Sequence, residues 1–165
     1  MDLLSAAQAE VAAGDIDAAE AAVTGSLAAR DTGDGRFLLG ALRMMDERYE
    51  EAAGEWQAAF GLYRDAGDRR RAARAAIEVA RLFGSDIGLD AMGRGWLERA
   101  RAVLEDEGPC AEWGHLELAA MACDRPDVDD VLASAERALA IAVEHGDAGL
   151  EARALADGGL ALVSQ

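Results

Sequence analysis

Bulky and small residues recur along this chain at alternating spacings of three and four. In the segment that starts at Tyr49 the set is Tyr49, Ala52, Trp56 and Ala59, with Phe60 next. An earlier copy reads Ile16, Ala19, Val23, Ser26 and then Leu27, and a later one Val128, Val131, Ala135, Ala138 and then Leu139. A looser copy between them keeps Gly93, Leu97 and Ala100 in its last three places. Such spacing places each set on one helical face, so each segment predicts an amphipathic helix with a narrow seam of small residues. Further helices carry a bulky residue followed by a small one at their middle: Leu39-Gly40, Val79-Ala80, Leu118-Ala119, and Leu155 ahead of Gly158-Gly159. Small side chains there let two helices of a pair approach closely. No strand-like alternation competes with this pattern.

Between the helices lie segments rich in aspartate and glycine: Gly14-Asp15, Asp31-Thr32-Gly33-Asp34, Asp65-Ala66-Gly67-Asp68, Arg125-Pro126-Asp127 and Gly146-Asp147. Aspartate is expected to cap the helix that follows and glycine to end the one before. The chain therefore divides into helix pairs over about residues 1–31, 34–66, 68–106 and 110–145, with a last helix over 147–163, all within one domain spanning 1–165. Equivalent small residues are 33 positions apart from Ser26 to Ala59, 41 from Ala59 to Ala100 and 38 from Ala100 to Ala138. Two linkers are thus longer than a strict repeat of that class allows.

Leu39-Gly40, Tyr49, Ala52, Trp56 and Ala59 sit at the spacings of the tetratricopeptide (TPR) signature, and the resemblance covers almost the whole chain. It implies an all-α, TPR-like α-α superhelix, a right-handed solenoid of about four antiparallel helix pairs plus one C-terminal helix. The second repeat departs from the signature, with Arg36 and Arg43 where its first helix has tryptophan and tyrosine. A narrower likeness lies in the runs from Gly95 to Leu104, Gly108 to His115, Ala135 to Ala140 and Leu160 to Ser164. These resemble the helical-repeat region of actinobacterial LuxR-type transcriptional regulators and related adenylate-cyclase-linked proteins. In that family the repeats sense or bind, and a separate domain gives the output.

Composition narrows the function further. The 165 residues are 52% apolar and 29% charged, enough to build a core. All 16 basic residues are arginine, and the chain contains neither lysine nor asparagine, the usage of a GC-rich bacterial genome. Acidic residues number 32, so the net charge of -16 repels nucleic acid and anionic lipid, and direct binding of nucleic acid is not expected. No basic start followed by an apolar run marks a signal peptide, and no window reaches the roughly 18 apolar residues of a membrane helix. A cytoplasmic location follows, with Cys110 and Cys123 as free, buried thiols.

Candidate chemistry is sparse. His115 and His145 are the only histidines, thirty positions apart. His145 closes a helix just before Gly146 and His115 falls at a helix-pair contact, so neither is assigned a catalytic or metal role. Cys110, Ser134 and Ser164 stand in no nucleophile, phosphate-binding or zinc motif, so no enzyme activity, cofactor or metal is expected. Asp124, Asp127, Asp129 and Asp130 lack the glycine and closing glutamate of a calcium loop and read as the acidic start of a helix.

Against the acidic background, Arg64, Arg69, Arg70, Arg71 and Arg74 form a basic patch. One reading pairs them with nearby acids such as Glu78; the other docks an acidic peptide or a phosphate.

If the TPR resemblance holds, the first helix of each pair lines a concave face. Carried over position by position, that face holds Leu4, Gln8 and Val11, then Phe37, Ala41 and Met44, then Arg74, Ile77 and Arg81, then Trp113, Leu116 and Ala120. Aromatic ends with arginines between them suit an amphipathic or acidic peptide, so a protein or peptide partner is expected. The carboxylate-clamp variety of TPR is excluded, because it needs the absent asparagine and lysine. The alternative is a small-molecule or enzyme-type site inside the superhelix. Finally, Leu160, Leu162 and Val163 crowd the C-terminal helix with apolar surface, and a homodimer through that helix would cover it.

Overall fold

The computed structural model describes residues 14–124 and 126–163. Among them there are eight α-helices, one π-helical stretch and no strand. The helices are α1 (Ile16–Ala29), α2 (Gly33–Met45), α3 (Tyr49–Asp65), α4 (Arg69–Arg81), α5 (Asp90–Leu104), α6 (Ala111–Asp124), α7 (Val128–His145) and α8 (Ala148–Val163). The all-helical reading thus holds. The first helix of the first pair, with Leu4, Gln8 and Val11, lies outside the described residues, as does Ser164. No described helix is long and apolar enough to cross a membrane.

Capping chemistry explains the boundaries. The side chains of Asp15, Asp68, Asp127 and Asp147 each accept a hydrogen bond from the backbone N–H three residues on, at 3.0, 3.1, 3.0 and 2.9 Å. At α2 the cap is Thr32, whose hydroxyl accepts from the Gly35 N–H at 3.2 Å; the aspartates on either side of the Thr32-Gly33 step are used elsewhere. Gly67 and Gly146 take the left-handed conformation, with φ of 75° and 67°, which closes α3 and α7 without the strain a side chain would bring.

The 41-residue spacing has a structural cause: α4 runs on into the π-helical stretch Leu82–Ile87, ended by the left-handed Gly88. Leu82, Phe83 and Gly84, the first residues of the stretch, are buried and belong to the core.

The chain forms two compact units, one up to Ala75 and one from Ala76 onward. In the first, Ala19 and Val23 of α1 pack on Leu39 and Leu42 of α2. Gly40 of α2 faces Trp56 of α3 so closely that a Cβ on it would lie 2.6 Å from the indole. The indole N–H donates to the Phe37 carbonyl at 3.1 Å. Arg36 and Arg43, the departures from the TPR pattern, bracket Glu55 of α3: Arg36 Nη1 donates to Oε2 at 2.8 Å and Arg43 Nη1 to Oε1 at 2.6 Å. Glu55 is buried, so its charge is matched on both oxygens.

In the second unit, Leu118 of α6 meets Ala138 and Ala142 of α7 and Leu150 and Ala154 of α8. Gly114 of α6 leaves the space that Leu150 fills, since a Cβ there would lie 2.5 Å from it. Cys123 sits in a notch formed by Gly84 and Gly93, and its thiol donates to the Ala80 carbonyl at 3.6 Å. On α8 the buried row is Leu150, Ala154 and Ala161. Leu155, expected as the bulky packing residue, instead points to solvent at 56% exposure: the helix is turned by one residue from the repeat register.

Candidate functional site

Phe37 and Arg74, two of the residues predicted for the partner face, line the same cavity of about 300 Å³ in the first unit, together with Asp34, Tyr63 and Arg71. Three helices supply them. Asp34 and Phe37 lie one turn apart on α2, Tyr63 ends α3, and Arg71 and Arg74 lie one turn apart on α4. The absence of a side chain at Gly33 lets the Tyr63 ring lie across the start of α2, because a Cβ there would come within 2.6 Å of the ring.

The polar side of this cavity is tied together around Asp34. The Tyr63 hydroxyl donates to Asp34 Oδ1 at 2.7 Å, and Arg71 Nη1 donates to the same oxygen at 3.1 Å. The Arg71 guanidinium also lies 5.9 Å from the centre of the Tyr63 ring, within cation–π reach. Burial, and then the bond to Asp34, pushes the Tyr63 phenol above its usual range, so it remains a neutral donor. The apolar side is Phe37, whose ring packs on Trp56 with centroids 6.4 Å apart and planes tilted by 44°. Phe37 is therefore held from behind by the same indole that closes α2 on α3.

Taken together, one carboxylate is offset by two guanidiniums next to an aromatic wall. Two arginines and an aromatic ring thus line one cavity of a strongly acidic chain.

The other predicted residues are placed as follows. Ala41 and Met44 are half-buried on α2. Ile77 and Leu116 are packed inside, with 2% and 4% of their surface accessible, and offer almost nothing to a partner. Arg81 is held by Glu78, Nη2 to Oε2 at 2.8 Å, and borders a second cavity of about 370 Å³ with Leu118, Met121, Val131 and Leu160. Trp113 is half-buried near the start of α6. Within the basic patch Arg64 pairs with Asp65, and Arg71 with Asp34 and Asp68.

Asp34 and Tyr63 were not anticipated. An aspartate just after a threonine cap and a tyrosine at a helix end each read as ordinary terminal residues. Only the pairing of α2 with α3 brings them together.

The residues weighed for catalysis have structural partners. His115 is buried, and its Nε2 lies 3.0 Å from Asp147 Oδ2 while Asp147 Oδ1 caps α8. Ser134 Oγ accepts from Arg137. Cys110 and Cys123 are free thiols, and burial raises both above the ordinary thiol range, which keeps them protonated and unreactive. Asp127 caps α7, as its place in the acidic cluster implied. Among the described residues, no group of three or more histidine, cysteine, aspartate or glutamate side chains could hold a metal ion. No protein-family model matches the chain, and no curated protein matches it by sequence.

Proposed function

We propose that the chain is a non-catalytic interaction module whose helix pairs stack as a TPR-like right-handed superhelix, and that it binds an acidic, amphipathic peptide. The observation that carries this reading is the meeting of Phe37 and Arg74, with Arg71 and Tyr63, in one cavity of the first unit. An aromatic wall beside two guanidiniums gives both anchors such a peptide needs: apolar area and a planar cation for a carboxylate. The seams of small residues at Gly40, Ala52 and Ala59 support the TPR-like stacking, because they set helix pairs at close range. The resemblance to the repeat region of LuxR-type regulators supports a role in bacterial transcriptional or signalling control. The two free thiols accord with work in the cytoplasm.

A fluorescence anisotropy titration tests the site. The probes are labelled helical peptides that present glutamate and leucine at every third or fourth position, with lysine-for-glutamate versions as controls. The acidic peptides should bind and the basic ones should not, and binding should weaken as salt rises. Arg74→Ala should cost about tenfold in affinity, the value of one charge-assisted contact, with the chain still folded by circular dichroism. Equal binding of acidic and basic peptides, or a titration indifferent to Arg74→Ala, would remove this cavity as the docking point.

A further inference from the structure

Three polar residues crowd the start of α2, and each has a different partner. Thr32 caps the helix by accepting from the Gly35 N–H, Asp31 takes the Arg36 guanidinium, and Asp34 turns toward α3 and α4. Among the described residues that line the Phe37 and Arg74 cavity, Asp34 is the one acid. Its carboxylate is fixed there. Tyr63 is 8% exposed and its hydroxyl donates to Asp34 Oδ1 at 2.7 Å, so turning Asp34 outward would strip a buried hydroxyl of its acceptor. The phenol, held protonated by burial and then by that bond, stays a donor.

A charge at this place is not what the fold requires. The Tyr63 hydroxyl needs an acceptor, which an amide or a hydroxyl supplies as well as a carboxylate. The ion pair with Arg71 joins side chains that are 59% and 48% exposed, and a pair so open to solvent adds little to stability. It is also uneven: Nη1 alone meets both oxygens, at 3.1 and 3.4 Å, in place of the two parallel bonds of a matched fork. Without Asp34, Arg71 would still have Asp68, whose Oδ2 lies 3.4 Å from its Nε. What the Asp34 charge does change is the field inside the cavity.

We propose that Asp34 is a charge filter, which sets this cavity for the single negative charge of a carboxylate and against the double charge of a phosphate. The proposal rests on the acidic-peptide reading of the cavity and narrows it. Two arginines one helical turn apart are by themselves as suited to a phosphate as to a carboxylate. An anion that reaches the Arg71 guanidinium, however, comes to lie beside Asp34, which already occupies Nη1. The repulsion between them is proportional to the charge the ligand brings. A glutamate brings one unit and a phosphoserine about 1.5 to 2 at neutral pH, so the factor by which Asp34 weakens binding is raised to about that power for the phosphate. Because Asp34 offsets Arg71, the second charge of a phosphate gains little attraction there, while its desolvation costs more than that of a carboxylate.

Fluorescence anisotropy on the whole chain tests the filter with two labelled helical peptides. They are identical except that one carries phosphoserine in place of its central glutamate, and the titration is made at about pH 7.5, where the phosphate is dianionic. The unsubstituted chain should bind the glutamate peptide more tightly. Asp34→Asn keeps an acceptor for Tyr63 and removes the charge. It should tighten the glutamate peptide by about fourfold, the worth of a unit charge a few ångströms away in a solvated site, and the phosphoserine peptide by about tenfold. The ratio of the two affinities is the decisive reading, because a purely structural Asp34 would weaken both peptides alike when replaced. Asp34→Ser supplies a smaller acceptor and should move the ratio in the same direction, should the amide disturb folding as seen by circular dichroism. A preference for the phosphoserine peptide before any substitution, or a ratio that stays fixed in Asp34→Asn and Asp34→Ser, overturns the filter and leaves the acidic-peptide reading in place. Binding of neither peptide to any of the three chains overturns that reading, and the filter with it.

Discussion

The α2–α3 and α7–α8 hairpins close their helices with different chemistry. In α2–α3 an indole packs against Gly40, and a buried carboxylate on α3 is held by two arginines of α2. In α7–α8 the contact is aliphatic, Ala138 and Ala142 against Leu150 and Ala154, and the polar tie is made outside the pair, from His115 of α6 to the cap of α8. The first hairpin uses charge to set its register and places its large side chains inside. The second packs alanines around the single buried Leu150 and leaves its other large residues outside. Where a helix keeps its leucines therefore says more about its neighbours than how many it has: α3 buries Trp56 and Phe60, whereas α8 exposes Leu155, Leu162 and Val163.

Removing the aromatic should hurt the first hairpin most. Trp56→Ala empties a large buried site and leaves the Phe37 carbonyl without its donor, so urea unfolding should show a loss of about 3–5 kcal/mol. A loss under about 1 kcal/mol would mean that the indole does not close α2 on α3. The charged clamp comes next. Glu55→Leu removes the acid shared by two half-buried guanidiniums, leaving them Asp31 and Glu20, and should cost about 1–3 kcal/mol, whereas Glu55→Gln, which keeps the shape and one acceptor oxygen, should cost less. If Glu55→Leu is neutral or stabilising, charge is not what sets this register.

In the second hairpin the matching test is Asp147. Asp147→Ala removes the α8 cap and the His115 partner together, for about 1–2 kcal/mol of lost stability, while Asp147→Asn retains the cap and should lose less than half of that. Equal losses would assign the whole effect to the bond with His115.

The smallest effect is on the acid side. The hydrogen bond from Arg36 holds the Asp31 carboxyl below the usual aspartate range, and that from Arg48 does the same for Glu51. Both groups have lowered values in the folded chain. Their stabilisation is therefore complete above the ordinary carboxylate range of about 4 and is lost as pH falls through the lowered values. Since both are exposed, the effect should be slight and should fade in high salt. Urea midpoints from about pH 6 to about pH 3 should fall less steeply in an Asp31→Asn, Glu51→Gln chain.

Helix limits were legible because capping is local: a glycine and an aspartate two or three residues apart report on their own backbone, as at Gly146-Asp147. The same signal misassigned α2, where Thr32 caps and Asp31 takes Arg36, because two competent caps stood side by side and an arginine in the first turn of the same helix engaged one of them. Glu55 was passed over for a related reason. A charged residue on an amphipathic helix reads as solvated, and nothing within α3 shows that Arg36 and Arg43 reach it. Phe37 and Arg74, assigned to one face from the repeat pattern, line one cavity. Tyr63 and Asp34 were missed because their meeting depends on the glycine at Gly33 and on the distance between two helices.

The π-helical stretch Leu82–Ile87 lets this chain vary in length without a change of core. Leu82 and Phe83 stay packed while Ser85, Asp86, Gly88 and Leu89 carry the surplus residues to the surface, where the Leu89 N–H closes the turn on the Phe83 carbonyl at 2.7 Å. Insertions and deletions can accumulate at such a point while the helices on either side keep their contacts, so repeat arrays can diverge in period long before they diverge in packing. The same exposed turn offers an attachment site for a spectroscopic label or an inserted tag at Gly88 and Leu89.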